Sequence, residues 1–216
     1  MSNILKSTKF DVALVRPYFK TICFTLLIPI AFAVINRSLL TGVSFAMSFI
    51  AMTTGYTFSI TEKNNMERLY GILPVRKSEL VVGRYVFVLI MGVLSLLVSL
   101  IAQPLVLKAV GVEVGVSDII TVAITGIFLY ALYTVFQIPG YYKFGSIKGR
   151  VFMYIPVVGF LVILLLFSNI PSLGASLVST VASSPVLLAV LAVLLIIVMF
   201  TVSILFSIRI MKNKEI

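Results

Sequence analysis

The sequence predicts an all-α integral membrane protein with six transmembrane helices and cytoplasmic N- and C-termini. Of the 216 residues, 61% are hydrophobic and 11% are charged, whereas soluble domains have roughly 45–50% apolar and about 25% charged residues. The apolar residues form runs long enough to cross a bilayer as helices. Fifteen of the 17 basic residues fall on one side of this arrangement. That side is assigned to the cytoplasm, where lysine and arginine are retained.

The limits of the apolar runs define the spans. They lie at approximately residues 19–36, 39–61, 80–107, 119–138, 151–167 and 186–210. Proline predicts a bend or an end in three of them, because it removes a backbone hydrogen bond and clashes with the preceding turn. We expect a bend at Pro29, an interruption at Gln103-Pro104 and an end at Pro139-Gly140, before a basic loop. Residues 1–216 are therefore interpreted as a single transmembrane domain.

An amphipathic interfacial helix is predicted at residues 2–17, ahead of the first span. Its basic residues would face lipid headgroups, and Pro17 would end it, because the residue before a proline disfavours helical geometry. A frayed terminus is the alternative interpretation. The apolar members of this helix are Ile4, Leu5, Phe10, Ala13 and Leu14.

The most charged stretch of the chain, residues 62–79, lies between the second and third spans. Its apolar residues recur at i, i+3, i+4 and i+7, which predicts a short amphipathic helix. Pro74 would end this helix, and Ser78 is expected to cap the next one. A segment lying on the membrane surface is one interpretation, and a helix that docks on a partner is the other. The four apolar residues are Met66, Leu69, Tyr70 and Leu73.

This stretch resembles the ABC-2 type ABC transporter permeases, the membrane subunits of ATP-driven transporters. The matching residues, in order, are Glu62, Leu69, Leu73-Pro74-Val75-Arg76, Glu79-Leu80-Val81-Val82 and Gly83-Arg84. The resemblance implies a short cytoplasmic coupling helix that docks on an ATP-binding cassette subunit. The residues it assigns to that contact are Glu62, Met66, Arg68, Leu69, Tyr70, Leu73, Pro74 and Arg76.

The same resemblance implies a multi-pass exporter in the cell (plasma) membrane. Two permease chains, identical or related, would assemble with two ATP-binding cassette subunits. ATP and Mg²⁺ would bind to those subunits, so no cofactor is expected on this chain. The bilayer is the other expected partner, and nucleic acid is not expected, because the basic residues follow the membrane topology.

The second and fourth spans carry polar side chains within their apolar runs. Such residues either hold helices together or line the path of a substrate. We assign seven of them to a candidate substrate path, and they leave the chemical class of the substrate open. These residues are Thr53, Thr54, Tyr56, Thr57, Tyr130, Tyr133 and Gln137.

The residue types argue against an enzyme. The chain has no histidine, which excludes a histidine-based triad or metal site, and it has no P-loop motif for ATP. No catalytic or metal-binding residue is therefore predicted. The seven acidic residues fall in loops or near helix ends, so a charge within the spans that would drive ion-coupled transport is not expected. The alternative function is a non-transporting membrane assembly or immunity protein whose cytoplasmic loop binds a partner.

Overall fold

The described part of the chain is all-helical. The computed structural model describes residues 3–66, 75–169 and 185–214, and these residues contain no β-strand. Two 3-10 turns, Arg16–Tyr18 and Gly149–Tyr154, connect helices. The helices are α1 Asn3–Val15, α2 Phe19–Thr25, α3 Leu27–Ile35, α4 Leu39–Thr53, α5 Gly55–Lys63, α6 Lys77–Ala109, α7 Val116–Lys148, α8 Ile155–Asn169 and α9 Pro185–Asn213.

Five helical segments of the described residues are long and apolar enough to cross a membrane. They are Asn3–Ile35, Leu39–Lys63, Lys77–Ala109, Val116–Val162 and Val190–Asn213. The predicted fourth span and most of the predicted fifth span fall within one of these segments, so the structure supports a multi-pass helical protein without confirming six spans. Residues 170–184, an uncharged stretch that precedes α9, lie outside the described residues.

Local side-chain chemistry explains several helix ends. α1 ends at Val15, two residues before Pro17, as expected. The bend expected at Pro29 falls at Leu26, one turn earlier, where α2 gives way to α3. α6 begins at Lys77, so the expectation that Ser78 caps this helix is wrong. Instead, Glu79 Oε2 accepts a hydrogen bond from the backbone N–H of Arg76 at 3.1 Å.

Two helices continue through prolines that were expected to break them. α6 passes Pro104 and ends at Ala109, and α7 passes Pro139 and extends to Lys148. Both expectations were wrong, because packing against neighbouring helices can offset the hydrogen bond that a proline removes. The basic stretch after Pro139 is thus mainly helical rather than a loop.

The sharp departure from helical geometry in α7 occurs at Gly145. Its backbone adopts φ 78° and ψ −179°, a region that only glycine occupies readily. Beyond it, the Gly149–Tyr154 turn folds back onto α7. A Cβ atom on Gly140 would lie 2.6 Å from Cγ of Phe152, so this return depends on a glycine at position 140.

The core lies where α4, α6 and α7 pack together, and α9 packs against α6 and α7. Val43, Met47 and Ile138 are fully buried there. The opposite side of α6 exposes an aliphatic stripe with a spacing of four residues, which suits contact with lipid hydrocarbon. The stripe consists of Leu89, Val93, Leu97, Ile101 and Leu105.

α1 packs along the beginning of α6 with a partly polar face. Thr8 and Asp11 are buried, and Thr8 Oγ1 donates a hydrogen bond to the Gly83 carbonyl at 3.0 Å. A Cβ on Gly83 would lie 2.6 Å from Cβ of Ser7, so the two helices approach closely. Leu5 and Val12 are exposed, by contrast. The helix expected at residues 2–17 thus forms over Asn3–Val15, and its position at the membrane interface remains a prediction.

Cysteine labelling tests the predicted topology. With Cys23 replaced by serine, single cysteines at the exposed positions Asn64, Lys148 and Asn213 should not react with an impermeant maleimide in intact cells. A cysteine at Glu113, also exposed, should react, because the basic residues assign that loop to the outside. All four should react after the cells are opened. Labelling of position 64 in intact cells would overturn the assignment.

Candidate functional site

The candidate site is the group of contacts that holds the two ends of the segment predicted to be a coupling helix. We call it the coupling junction. It comprises Glu62 and its neighbours at the end of α5, the residues at the start of α6, and the residues of α1, α7 and α9 that contact them. Met66 is half-buried and Arg76 is exposed. The other predicted contact residues lie outside the described residues. These are Arg68, Leu69, Tyr70, Leu73 and Pro74.

A buried ion pair lies at the centre of the junction. Nη2 of Arg84 is 2.8 Å from Oδ1 of Asp11, and Nε is 3.2 Å from Oδ2, so the pair is bidentate. The two side chains are 5% and 2% exposed. Asp11 was expected to lie on a surface helix, and no charge was expected to be buried. Both expectations were wrong, because α1 packs against α6 and covers both groups.

The guanidinium of Arg84 also contacts the end of α5. Its Nη2 donates to Oγ1 of Thr61 at 3.4 Å, and its Cζ lies 4.6 Å from the centroid of the Phe58 ring. This ring distance is typical of a cation–π contact. The Arg84 side chain therefore joins α1, α5 and α6. Its hydrogen-bond partner in α5, Thr61, is one residue before Glu62.

Glu62 connects the end of α5 to the kink in α7. Its Oε2 accepts a hydrogen bond from the backbone N–H of Ser146 at 2.7 Å. Since Gly145 is not helical, the N–H of Ser146 is directed to this carboxylate as at a helix N-terminus. A Cβ atom on Gly145 would lie 3.1 Å from Oε1 of Glu62. Gly145 thus permits both the kink and the close approach.

Aromatic rings fill the space between these polar contacts. The ring centroid of Phe58 is 4.9 Å from that of Tyr141 and 5.0 Å from that of Tyr142. These rings, together with Glu62 and Arg84, line a small cavity of about 30 Å³. The end of α5 therefore packs tightly on α7.

The other end of the segment is attached at the start of α6. Glu79 Oε2 accepts a hydrogen bond from Nδ2 of Asn3 at 3.2 Å, and Nζ of Lys77 donates to the Lys214 carbonyl at 2.8 Å. α6 is thus linked to both α1 and the end of α9. Contacts at the two ends of the segment thus reach α1, α7 and α9.

The residues assigned to the candidate substrate path separate into three groups. Four are buried inside this chain and are hydrogen-bonded to other residues of the chain. Tyr130 Oη donates to the Val88 carbonyl at 2.7 Å, and Gln137 Nε2 donates to Tyr141 Oη at 2.6 Å. Thr54 and Thr57 are the other two. Thr53 and Tyr56 instead line an open cavity of about 260 Å³, and Tyr133 is half-buried against the core.

Several of these contacts were missed in the sequence. Asp11 and Arg84 are 73 residues apart, and Glu62 and Ser146 are 84 apart, so no local pattern links either pair. One available signal was Asp11 itself, a single acidic residue in a segment whose other charged residues are basic. Gly145 was marked by no local pattern.

These features define a class of protein: a multi-pass membrane protein whose described residues are helical and whose buried ion pair lies beside a charged segment between two spans. A family model described as "ABC-2 family transporter protein" matches residues 8–212. This match covers most of the chain, and the chain therefore belongs to the ABC-2 transporter family. Members of this membrane family are transport subunits and are not themselves catalytic. Searches of curated proteins and of solved structures found no match.

Substituting Gly145 with alanine should destabilise the junction. A side chain at φ 78° and ψ −179° is strained and would approach Glu62, which together should cost about 1–3 kcal/mol of unfolding free energy. Gly159→Ala is the matched control, because nothing lies within 4 Å of a Cβ there. Thermal unfolding in detergent measures both variants. Equal midpoints would show that the kink contributes nothing to stability.

Proposed function

We propose that this chain is the permease subunit of an ATP-driven ABC exporter in the plasma membrane. Its helices form the substrate path together with a second permease chain, which is either a copy or a relative. Two separate ATP-binding cassette subunits hold ATP and Mg²⁺ and drive the cycle. Family membership supports the transport role, and the coupling junction supports the route by which movement enters the membrane domain.

The observation that carries this proposal is the attachment of both ends of the segment between α5 and α6. One end is held by Glu62 on α7, and the other by Glu79 on α1. Between the attachments, Arg84 joins α1 to α5. A partner that docks on the segment between these two ends would move three helices together, rather than a loose loop.

The apolar face expected on that segment is the proposed docking surface. Met66, Leu69, Tyr70 and Leu73 recur with the period of one helix face. Closure of the two cassette subunits around ATP would displace this face and alter access to the path between the spans. Glu62 and Arg76 flank the face and would contribute polar contacts to the partner.

Co-expression with an ATP-binding cassette subunit encoded beside this chain tests the proposal. The subunit should co-purify with the chain in detergent, and the complex should hydrolyse ATP while the chain alone should not. If no such subunit co-purifies and a protein without nucleotide-binding motifs is recovered instead, the chain is a non-transporting assembly or immunity protein.

A further inference from the structure

The structure contains a cavity whose lining has two distinct chemistries. Its volume is about 260 Å³, near the lower end of the range for small-molecule sites. One part of the wall is apolar and consists of Phe49, Met52 and Met153. The rest of the lining is mainly polar and includes Tyr141 and Arg150. A ligand of one uniform polarity would fit only part of this wall.

The polar side of the cavity is lined by hydroxyl groups and one guanidinium. Tyr141 is 3% exposed, and its hydroxyl oxygen accepts a hydrogen bond from Gln137 Nε2 at 2.6 Å. Oε1 of the same Gln137 side chain lies 3.5 Å from Thr54 Oγ1, so Tyr141 belongs to a buried hydrogen-bonded group. A phenol hydroxyl both donates and accepts hydrogen bonds, so Tyr141 offers a polar contact on this side of the cavity.

Arg150 supplies a positive charge to the lining of the cavity. It is the single charged side chain among the described residues that line the cavity. Two acidic side chains of the described residues have other partners. Asp11 pairs with Arg84, and Glu62 accepts a hydrogen bond from the backbone N–H of Ser146. Within the described ranges no carboxylate forms an ion pair with Arg150. A guanidinium is suited to an anionic oxygen group such as a phosphate or carboxylate.

We propose that this cavity binds an anionic amphiphile. Its anionic group lies against Arg150 and the Tyr141 hydroxyl, and its aliphatic or aromatic part lies against Phe49, Met52 and Met153. This inference rests on the proposed function, because it names the substrate class for the part of the path that Thr53 and Tyr56 line. A membrane phospholipid and a transported amphiphilic solute share this chemistry.

The cavity is also connected to the coupling junction. Tyr141 lines both the cavity and the small gap beside Glu62 and Arg84, and its ring packs on Phe58 at 4.9 Å. Gly55 allows this arrangement, since a Cβ there would lie 2.6 Å from the Tyr141 hydroxyl oxygen. An occupant that hydrogen-bonds to Tyr141 therefore touches a ring that supports the end of α5.

A single tryptophan makes the binding measurable. The chain has no tryptophan, so Phe49→Trp places a sole fluorescent reporter in the wall of the cavity. The purified chain, without any ATPase subunit, is titrated in non-ionic detergent with dodecyl phosphate and with the uncharged dodecyl glucoside. These probes share a chain length and differ in head-group charge. We expect dodecyl phosphate to bind about tenfold more tightly, as one charge-assisted hydrogen-bonded contact predicts.

Two charge-matched variants test the assignment of Arg150. In the reporter background, Arg150→Gln should abolish the preference for dodecyl phosphate, whereas Lys148→Gln should retain it. Both residues are exposed and each variant removes one positive charge, so a diffuse electrostatic effect would weaken the preference equally in both. Such equal weakening, or equal affinity for the two probes in the unsubstituted reporter protein, would overturn the proposal.

Nanodiscs distinguish the two sources of the ligand. If phosphatidylglycerol in the bilayer competes with dodecyl phosphate and phosphatidylcholine does not, a membrane lipid occupies the cavity. If neither lipid competes, the cavity takes a soluble or transported amphiphile. The measurement needs no ATPase subunit, so its failure leaves the proposed coupling untouched. Conversely, loss of the ATPase interaction would not alter the binding result.

Discussion

Replacing Asp11 with alanine is expected to lower the unfolding free energy by about 3–5 kcal/mol, because it leaves the buried Arg84 guanidinium without its counter-charge. Arg84 is 4% exposed and donates hydrogen bonds to both carboxylate oxygens of Asp11. Loss of the pair should detach α1 from the start of α6 and disturb Thr61 at the end of α5. Thermal unfolding of the purified chain in detergent measures the loss.

A double variant separates the charge from the packing. Asp11→Ala with Arg84→Met removes both charges, and it should recover much of the lost stability, since replacing a whole buried pair with apolar groups is often nearly neutral. Glu113→Ala is the surface control, because Glu113 is exposed. If the double variant is as unstable as Asp11→Ala alone, the ion pair does not hold the junction together.

The second large effect concerns the proposed docking face. Leu73→Asp should weaken binding of the ATP-binding cassette subunit by about a hundredfold or more, because an unpaired charge in a buried contact costs several kcal/mol. The variant should still insert into the membrane, since the apolar spans that direct insertion are unchanged. Retention of the subunit after affinity purification in detergent measures the effect.

Asn64→Asp is the matched control for that experiment. It introduces the same charge at an exposed position just beyond α5, where the Asn64 side chain bonds only locally, to the Ile60 carbonyl at 2.9 Å. Lys77 is unsuitable as a control, because its Nζ contacts the end of α9. If Leu73→Asp and Asn64→Asp retain the subunit and its ATP hydrolysis equally, the segment is a membrane-surface element without a docking role.

Local composition predicted much of the fold. The runs at 39–61 and 80–107 lie within helices that the structure describes as Leu39–Lys63 (with a break at Thr54) and Lys77–Ala109. Membrane spans are predictable because length and apolarity act within one segment. Local rules failed at Pro104 and Pro139, where packing with other helices decides whether a helix continues.

The contacts of the candidate site were less predictable. Glu62 was recognised from its motif, but its partner Ser146 lies 84 residues further along the chain, in α7. Similarly, the polar face of the fourth span did not distinguish Gln137, which is buried and bonded to Tyr141, from a residue that lines an open path. Periodicity identifies a face of a helix, whereas tertiary packing decides what that face meets.

One measurement tests the central claim most directly: photo-crosslinking from position 70 in intact cells. A benzoylphenylalanine replaces Tyr70 on the predicted docking face, and the crosslinked products are identified by mass spectrometry. The account predicts a crosslink to an ATP-binding cassette subunit, with none from a benzoylphenylalanine at the exposed position Asn64. Crosslinks from position 70 to lipid alone, or to a protein without nucleotide-binding motifs, would contradict it.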